Sequence, residues 1–397
     1  RRPPRSTLFP YTTLFPISPI SYDAIESLSI QTAPFDVEFN GFTGGTINAV
    51  TKSGTNEFHG SLGYYTTDDS LIGDKNQDDD FDFTFEEETI VATFGGPIIK
   101  DKLFFFVAYD KYEETAPLQD GPAGSGALDT VDSISFAQVD EVSSIVNGLW
   151  GFDIGGFTKG PAEDEKILAN IDWNINEDHR AKFTYIRTEG NTIREQNGNN
   201  FLTSGDRLGA SSAWYDRSEK VESFIGHLFS DWTPNFSTQF KIASTSQATG
   251  QDSLNGAEFP SFGIRLNDSD NFYNVAEDFE EDPNGDDAYL VTGPDRFRHG
   301  NSLDQDFFQI KAVAEYAYGD HVFKVGFERE EVDVNNLFAQ NAEGSYAFDP
   351  VFDDAGALVT TGLEGLQSAT ATGLLYNNAV TNDENDLRAI WGYNCEH

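Results

Sequence analysis

The stretch DEKILANIDWNINEDHRAKFTYIRTEG, residues 164–190, decides the fold of this chain. In its first half, apolar and polar residues alternate. One face of the extended segment carries Ile167, Ala169, Ile171, Trp173 and Ile175, and the other carries Lys166, Asn170, Asp172 and Asn174. A period of two is typical of a β-strand with one apolar and one polar face. Turn-forming residues follow at 176–179, and a second strand begins at Arg180. The stretch therefore predicts a β-hairpin with a tight turn.

Eight further segments have strand-like patterns, and each has the length of about 9 to 14 residues that a tilted strand needs to cross a bilayer. The ten predicted strands are 57–67, 85–95, 102–113, 164–175, 180–190, 219–232, 236–247, 305–318, 322–334 and 386–394. Clean alternation orients several of them. The third contains LFFFVAY, which is apolar on both faces and cannot be oriented by alternation.

Short and long connections alternate between these strands. The short connections carry turn residues and lie at 95–101, 176–179, 233–235 and 319–321, whereas the long ones lie at 68–84, 114–163, 191–218, 248–304 and 335–385. Long loops without secondary structure are uncommon inside compact soluble domains. An outer-membrane barrel, by contrast, has short periplasmic turns and long external loops. The chain is therefore predicted to be all-β, a transmembrane antiparallel up-and-down β-barrel in contact with outer-membrane lipid.

Three aromatic residues lie next to short turns. Trp173 and Trp232 come just before a turn, and Tyr318 has the same place on another strand. We interpret them as part of an interfacial aromatic girdle, because Trp and Tyr concentrate at membrane–water boundaries. The alternative is that they are ordinary hairpin aromatics.

The composition favours β-structure and excludes some partners. The chain has 34 Phe and 15 Tyr but no Met, and its 67 acidic and 25 basic residues give a net charge of −42. Nucleic acid is not an expected partner, because phosphate binding needs a basic surface. The single cysteine, Cys395, cannot build a disulfide framework or a zinc site. Since the sequence begins with Arg and has no Met, we interpret it as processed or incomplete.

Two motifs carry a family resemblance. GFTGGTINAVTKSGTNEFHG, residues 41–60, resembles the end of the plug domain of TonB-dependent receptors running into the first barrel strand. GGPIIKDKLFFF, residues 95–106, resembles the turn between the second and third strands in the Oar-like branch of that family. The positions that we single out in the first motif are Gly41, Gly44, Gly45, Asn48, Thr51, Lys52, Gly54, Thr55, Asn56, His59 and Gly60. Those in the second are Gly95, Gly96, Pro97, Lys100 and Asp101. Without the family, the first motif is a Gly-rich turn between strands, and it lacks the spacing of a phosphate-binding loop.

The resemblance implies transport. In this family a plug fills the barrel, and the inner-membrane TonB complex pulls on an N-terminal segment, which this sequence does not contain, to open a path for the substrate. It implies that 18–56 are the end of the plug and 57–397 the first part of a barrel with 22 strands. Residues 1–17 fit neither and are interpreted as an artefact or a disordered leader, with a Pro-rich linker as the alternative. An unidentified ligand is expected at the acidic external loops, and the direction of transport stays open.

No pattern indicates catalysis. The acidic run at 74–82 resembles a calcium loop, but Asp79 and Phe85 stand where Gly and Glu are required. It and the run at 277–287 are interpreted as solvated loop acids, with opportunistic divalent-cation binding as the alternative. The six histidines lack metal-site spacing, and no GxSxG is present. We therefore predict no enzyme activity, no cofactor and no metal site. The alternative function is a secreted acidic β-rich adhesin, which would show polar residues on the outward strand face. A simple porin would have no reason to carry the plug-end motif.

Overall fold

The computed structural model describes residues 20–32, 45–71, 75–76, 79–80, 84–197, 206–266, 288–353, 357–371 and 373–376. Several predictions fall outside these residues: those for 1–17, for Gly41 and Gly44, for the acidic run at 277–287, for the strand at 386–394 and for Cys395.

Strands make up most of the described chain. They are β1 Ile25–Thr32, β2 Gly45–Thr51, β3 His59–Asp68, β4 Lys75–Asn76, β5 Asp79–Asp80, β6 Glu86–Ile99, β7 Leu103–Thr115, β8 Asp120–Pro122, β9 Asp129–Val131, β10 Ala162–Asn174, β11 His179–Arg194, β12 Asp206–Gly209, β13 Tyr215–Thr233, β14 Phe236–Ser253, β15 Ser261–Arg265, β16 Ala288–Thr292, β17 Asn301–Tyr318, β18 His321–Phe338, β19 Ser345–Phe348, β20 Val351–Phe352, β21 Leu358–Thr360 and β22 Gly373–Tyr376. The helices are α1 Phe136–Trp150 and α2 Gly362–Gln367, and 3-10 turns lie at Tyr22–Ala24, Asp69–Leu71 and Ser211–Ala213. No helix among the described residues is long and apolar enough to cross a bilayer.

Nine long strands form one antiparallel sheet, which we call the wall. Its order is β3-β6-β7-β10-β11-β13-β14-β17-β18, so strands adjacent in this sheet follow one another along the chain. The up-and-down β-barrel architecture predicted from the sequence is confirmed, and within the described residues the sheet stays open between β3 and β18. All four short turns lie at one end. Here Asp101 and Gly319 adopt left-handed backbone conformations, with φ of 63° and 59°.

The outer face of the wall is apolar and exposed. Six large side chains on the central strands are each 39–45% exposed: Ile171, Phe183, Phe224, Leu228, Phe240 and Ile242. The strand register brings them into one contiguous surface, with Ile171 beside Phe183 and Leu228 beside Phe240. A soluble protein rarely exposes so large an apolar patch. The surface therefore fits contact with lipid.

The inner face of the wall is the face that the β1–β2 hairpin covers. A small apolar cluster joins Ile20, Ala24 and Ala49 to Phe106 and Ala108 of β7. The contact shows which face of β7 points inward, a question that the sequence of LFFFVAY could not answer. Because Phe106 and Ala108 contact the hairpin, the even-numbered residues of β7 point inward. Elsewhere the inner face carries many polar side chains, as expected for the lumen of an outer-membrane barrel.

A second unit, which we call the cap, lies at the end of the wall opposite the short turns. Its five-stranded mixed sheet has the order β12-β16-β15-β19-β22, and the chain enters it from the long connections. Both helices pack on its apolar core, which includes Ile134, Val142, Leu208, Phe262 and Phe348, all at most 1% exposed. The expectation of long loops without secondary structure is therefore wrong for these parts of the connections. They bury apolar residues against one another instead.

Helix α1 illustrates how the cap sequence specifies local structure. Ser135 and Gln138 form a capping box at its start, and Gly151 ends it with a φ of 69°. Between these signals, Val139, Val142 and Val146 recur at helical spacing and are buried.

Candidate functional site: the junction of hairpin and wall

The chain leaves the hairpin at Thr51 and crosses the inner face of the wall before it enters β3 at His59. Strands β1 and β2 are antiparallel, with Ile30 opposite Ile47. The backbone N–H of Lys52 donates to Ala24 O at 2.8 Å, which continues the hairpin by one step. From there the first sequence motif runs directly against the strands that carry the second motif.

Polar side chains of β10 and β11 hold the first part of this crossing. The Asn170 Nδ2 group donates to Thr51 Oγ1 at 2.9 Å and to Lys52 O at 2.7 Å, while Thr184 Oγ1 donates to Asn170 Oδ1 at 2.7 Å. The ammonium of Lys182 donates to Thr51 Oγ1 at 3.2 Å and to Ser53 Oγ at 3.4 Å. Asn170 is only 1% exposed. Because a buried amide without partners is costly, this satisfied network fixes the position of the crossing segment.

Two glycines make the closest approach possible. A Cβ on Gly54 would lie 2.3 Å from Phe105 O and 2.8 Å from Gly96 O, so any side chain there would overlap backbone atoms. A Cβ on Gly96 would lie 2.2 Å from the Phe58 ring. That ring stacks on Phe94 at a centroid distance of 5.8 Å with the planes 6° apart. Gly54 thus lets the backbone of the crossing segment approach the wall closely, and Gly96 leaves room for the Phe58 ring. Both glycines serve close packing rather than turn formation.

A reciprocal pair of hydrogen bonds joins the two motifs. The Asn56 Nδ2 group donates to Asp101 Oδ1 at 2.6 Å, and the Asp101 N–H donates to Asn56 Oδ1 at 2.7 Å. These residues are 45 positions apart, and Asp101 is at the tip of the turn between β6 and β7. The structure therefore brings together the two stretches that the sequence analysis singled out separately.

The remaining motif positions have smaller roles. Thr55 Oγ1 donates locally to Glu57 O at 2.8 Å, and His59 is exposed, 3.8 Å from a Glu57 carboxylate oxygen. Close backbone contacts would restrict a Cβ at Gly60 and at Gly95. Gly45 begins β2, Asn48 is buried on it, Pro97 adjoins a register shift, and Lys100 is an exposed turn residue.

The sequence analysis did not identify Asn170, Lys182 and Thr184 as parts of the site. The signal was present, since each is a polar residue that alternates with apolar ones in its strand. What the sequence could not show was which segment covers that polar face.

The aromatic residues at the short turns lie on the outer face. Trp173, Trp232 and Tyr318 are 44%, 58% and 67% exposed. The indole Nε1 of Trp232 donates to Thr238 Oγ1 at 2.8 Å, so its polar edge has a partner beside the turn. Their girdle role stays a prediction, and their placement at one rim of the apolar surface fits it.

A second set of aromatic residues marks the opposite rim. Tyr109 donates to Glu165 Oε2 at 3.2 Å, Tyr185 donates to Glu222 Oε1 at 2.7 Å, and Tyr64 hydrogen bonds to Glu88 in the same manner. Along β10, eight residues separate Trp173 from Glu165, or roughly 26 Å at the usual rise of a strand. Because strands of an outer-membrane barrel are tilted by about 35–45°, this length covers about 18–21 Å across the membrane, somewhat less than the apolar band of about 25 Å.

The described residues contain no group of three His, Cys, Asp or Glu side chains that could hold a metal ion. The acidic run at 277–287 and most of the run at 74–82 lie outside them, so the alternative of opportunistic cation binding at these runs stays untested.

Comparisons with known proteins agree with this architecture. Residues 50–120, which include most of the junction, match a family described as outer membrane beta barrel domain. The chain is 30% identical over 194 residues to the TonB-dependent transporter Oar of Myxococcus xanthus, a match that covers 44% of this chain and 17% of Oar. The chain is related to the TonB-dependent receptors. It is also 33% identical over 96 residues to the probable TonB-dependent siderophore receptor PirA of Acinetobacter baumannii, covering 23% of this chain and 11% of that receptor.

A similar fold is also found among solved structures. The outer membrane transporter YddB from Escherichia coli superimposes with a TM-score of 0.51 at 10% identity, over 85% of this chain and 38% of YddB. The chain thus spans well under half of the transporter whose fold it shares. The resemblance to the Oar branch is confirmed, and a location in the outer membrane of a Gram-negative bacterium follows.

Proposed function

We propose that this chain supplies the end of the plug and the first strands of the barrel in a transporter that moves a large or scarce substrate across the outer membrane with energy from the TonB complex. The observation that carries the proposal is the junction, where the hairpin exit is bound to the wall by two separate sets of polar contacts. The β1–β2 hairpin then corresponds to the last part of the plug.

The junction suits a plug that must be held on one side and moved on the other. Its contacts from Thr51 to Asn56 are hydrogen bonds and close backbone packing, and each hydrogen bond contributes about 1 kcal/mol. Together they anchor the crossing segment to β7, β10 and β11. A pull transmitted through the segments before β1 would therefore rearrange the plug ahead of the junction before it detached the chain from the wall.

The cap supports a role in substrate capture. It stands at the outer end of the wall strands and presents folded surface rather than open loops, which lowers the entropy lost on binding. An adhesin would also present a folded outer unit, but it would have no use for the exposed apolar outer face of the wall.

Gene disruption in the native host tests the proposal. We expect the disruption to reduce uptake or export of one class of solute, and we expect inactivation of TonB to give the same defect without an additive effect in the double mutant. Transport that persists without TonB would contradict the proposal. Loss of surface attachment with normal solute transport would favour the adhesin.

The variant Asn56→Ala tests the junction itself. Removing both hydrogen bonds to Asp101 is expected to weaken the junction by about 1–3 kcal/mol, since one acceptor is a carboxylate. Protease cleavage within 51–58 in isolated outer membranes should increase. The matched control is Thr55→Ala, which removes only the two local hydrogen bonds with the Glu57 backbone and should leave cleavage unchanged. Equal cleavage of both variants would show that the reciprocal pair does not secure the crossing.

A further inference from the structure

A row of basic side chains crosses the inner face of the wall beside the junction. The register places one residue per strand in this row, which we call the basic row, from β10 to β18: Asp172, Lys182, His227, Lys241, Lys311 and Glu328. Four basic residues are thus consecutive, and acids stand only at the two ends. In a chain with 67 acidic and 25 basic residues, this is a local reversal of charge.

The members of the basic row differ in their partners. Lys182 donates to the hydroxyls of Thr51 and Ser53, and Lys311 forms an ion pair with Glu328 at 2.9 Å. Lys241, between them, is only 9% exposed, and its ammonium forms no hydrogen bond or close ion pair with any residue that the structure describes. The carboxylates of Glu328 and Glu330 attract it from β18 at longer range, and both accept hydrogen bonds from Gln309. The centre of the row therefore has no carboxylate in direct contact among these residues.

Another inner-face lysine provides the contrast. Lys166 on β10 is also 9% exposed, but it forms an ion pair with Asp164 and lies 4.0 Å from an oxygen of Asp110. Burial of a charge is costly unless a partner compensates it. Lys166 is compensated by direct contacts within the wall, whereas Lys241 has only the longer-range attraction of Glu328 and Glu330 and leaves a contact position open for an anion.

We propose that the basic row binds carboxylate or phosphate groups of the substrate as it passes between the plug and the wall. Because adjacent strands lie about 5 Å apart, four neighbouring positions span roughly 15 Å, enough for more than one anionic group. The row adjoins the junction through Lys182, so a ligand there would meet both the wall and the hairpin exit. This inference deepens the proposed transport function by assigning an anionic substrate class.

A reporter cysteine tests the local potential. Ala243 lies on the inner face of β14, two residues from Lys241, and is half-buried. In the full chain with Ala243→Cys and Cys395→Ser, embedded in outer-membrane vesicles, a thiosulfonate reagent with a negative charge should react at least about tenfold faster than one with a positive charge, after correction for their rates with a free thiol. Inorganic pyrophosphate should slow the negative reagent.

Matched lysine variants complete the test. Lys241→Gln should remove most of the preference for the negative reagent, whereas Lys166→Gln should leave it unchanged because that charge is already paired. Equal rates for both reagents, no slowing by pyrophosphate, or no reaction with either reagent would each overturn the proposal. Labelling does not require transport. A failed uptake test with the preference for the negative reagent intact would therefore reject the transporter and keep the anion site. Normal TonB-dependent uptake without that preference would keep the transporter and reject the anion site.

Discussion

The wall and the cap use the same residue types in opposite ways. Wall strands are 10 to 19 residues long and pair with the next wall strand along the chain, and most of their large apolar side chains outside the hairpin contact point outward. Cap strands β12, β15, β16 and β19 have four or five residues, pair partly in parallel, and bury their apolar side chains in a core. The difference teaches that the surrounding medium decides where apolar side chains go. Lipid covers them on the wall, and protein covers them in the cap.

The largest expected effect separates the stability of the two regions. Phe262 is 1% exposed in the cap core, where its ring lies 5.4 Å from both Trp150 and Phe348. Phe262→Ala should destabilise the cap by about 3–5 kcal/mol through lost burial and a cavity. Hydrogen exchange should increase in β15, β16 and β19 but stay slow in β10 and β11.

The control for this experiment is Phe136→Ala, because Phe136 is 45% exposed on α1. Its effect on exchange should be much smaller. If β10 and β11 lost protection together with the cap, the two regions would form one cooperative unit, and the comparison would fail.

The next effect distinguishes the two faces of the wall. Phe240 and Gln239 are neighbours on β14 that point outward and inward. Phe240→Arg should destabilise insertion into lipid vesicles by about 2–4 kcal/mol, since an arginine near the membrane midplane is costly. Gln239→Arg should change it little, because that position faces the polar side. Equal costs at both positions would mean that the apolar surface is not in lipid.

Glycine substitutions compare close packing in the wall with open space in the cap. Gly54→Ala should cost about 1–3 kcal/mol, because its Cβ would overlap the carbonyl of Phe105 and the backbone would have to shift. In α1, Gly148 has no neighbouring atom within 4 Å of the Cβ position, and Gly148→Ala should stabilise the helix by up to about 1 kcal/mol. Thermal unfolding of both variants in detergent checks these opposite signs. A neutral Gly54→Ala would show that the junction tolerates side chains.

The smallest effect is a pH dependence confined to the cap. Burial lowers the pKa of His299 to about 4, whereas an unfolded histidine has a pKa of about 6.5. Its Nδ1 accepts a hydrogen bond from the Glu343 N–H at 3.2 Å, which a second ring proton would abolish. Since the folded state disfavours the proton, this stability is present above pH 6.5 and is lost as the pH falls toward 4.

Comparison with His299→Asn isolates this effect. Burial also raises the pKa of Glu343, which acts in the opposite direction as the pH falls, but that contribution is common to both proteins. Between pH 7 and pH 5, protection of the cap amides against hydrogen exchange, corrected for the intrinsic exchange rate at each pH, should fall more in the wild type than in His299→Asn. Parallel pH profiles would exclude His299 as the source.

Much of the wall could be predicted from the sequence because its strands pair with their chain neighbours. The sequence pattern located all nine wall strands, including β10, which was predicted at 164–175 and observed at Ala162–Asn174; the tenth predicted strand, 386–394, lies outside the described residues. The wall strands were predicted too short at their outer ends, as in β13 and β14. There the apolar alternation stops at the membrane boundary, but backbone pairing continues in water.

The cap could not be predicted because its pairing is non-local. Its strand segments SFGIR, AYLVT and SYAF are short and come from different connections, so no local period reveals them. The junction was predictable only in part. The motifs marked Asn56 and Asp101, but their mutual hydrogen bonds depend on a chain crossing that no residue pattern encodes.

The long paired ribbons of the wall have a mechanical consequence. On β13, seven residues separate the boundary residue Glu222 from Tyr215, or about 23 Å at the usual rise, and β14 accompanies this segment throughout. A hydrogen-bonded ribbon of this length is stiff. It therefore holds the cap above the headgroup layer, at a height that the number of paired residues sets.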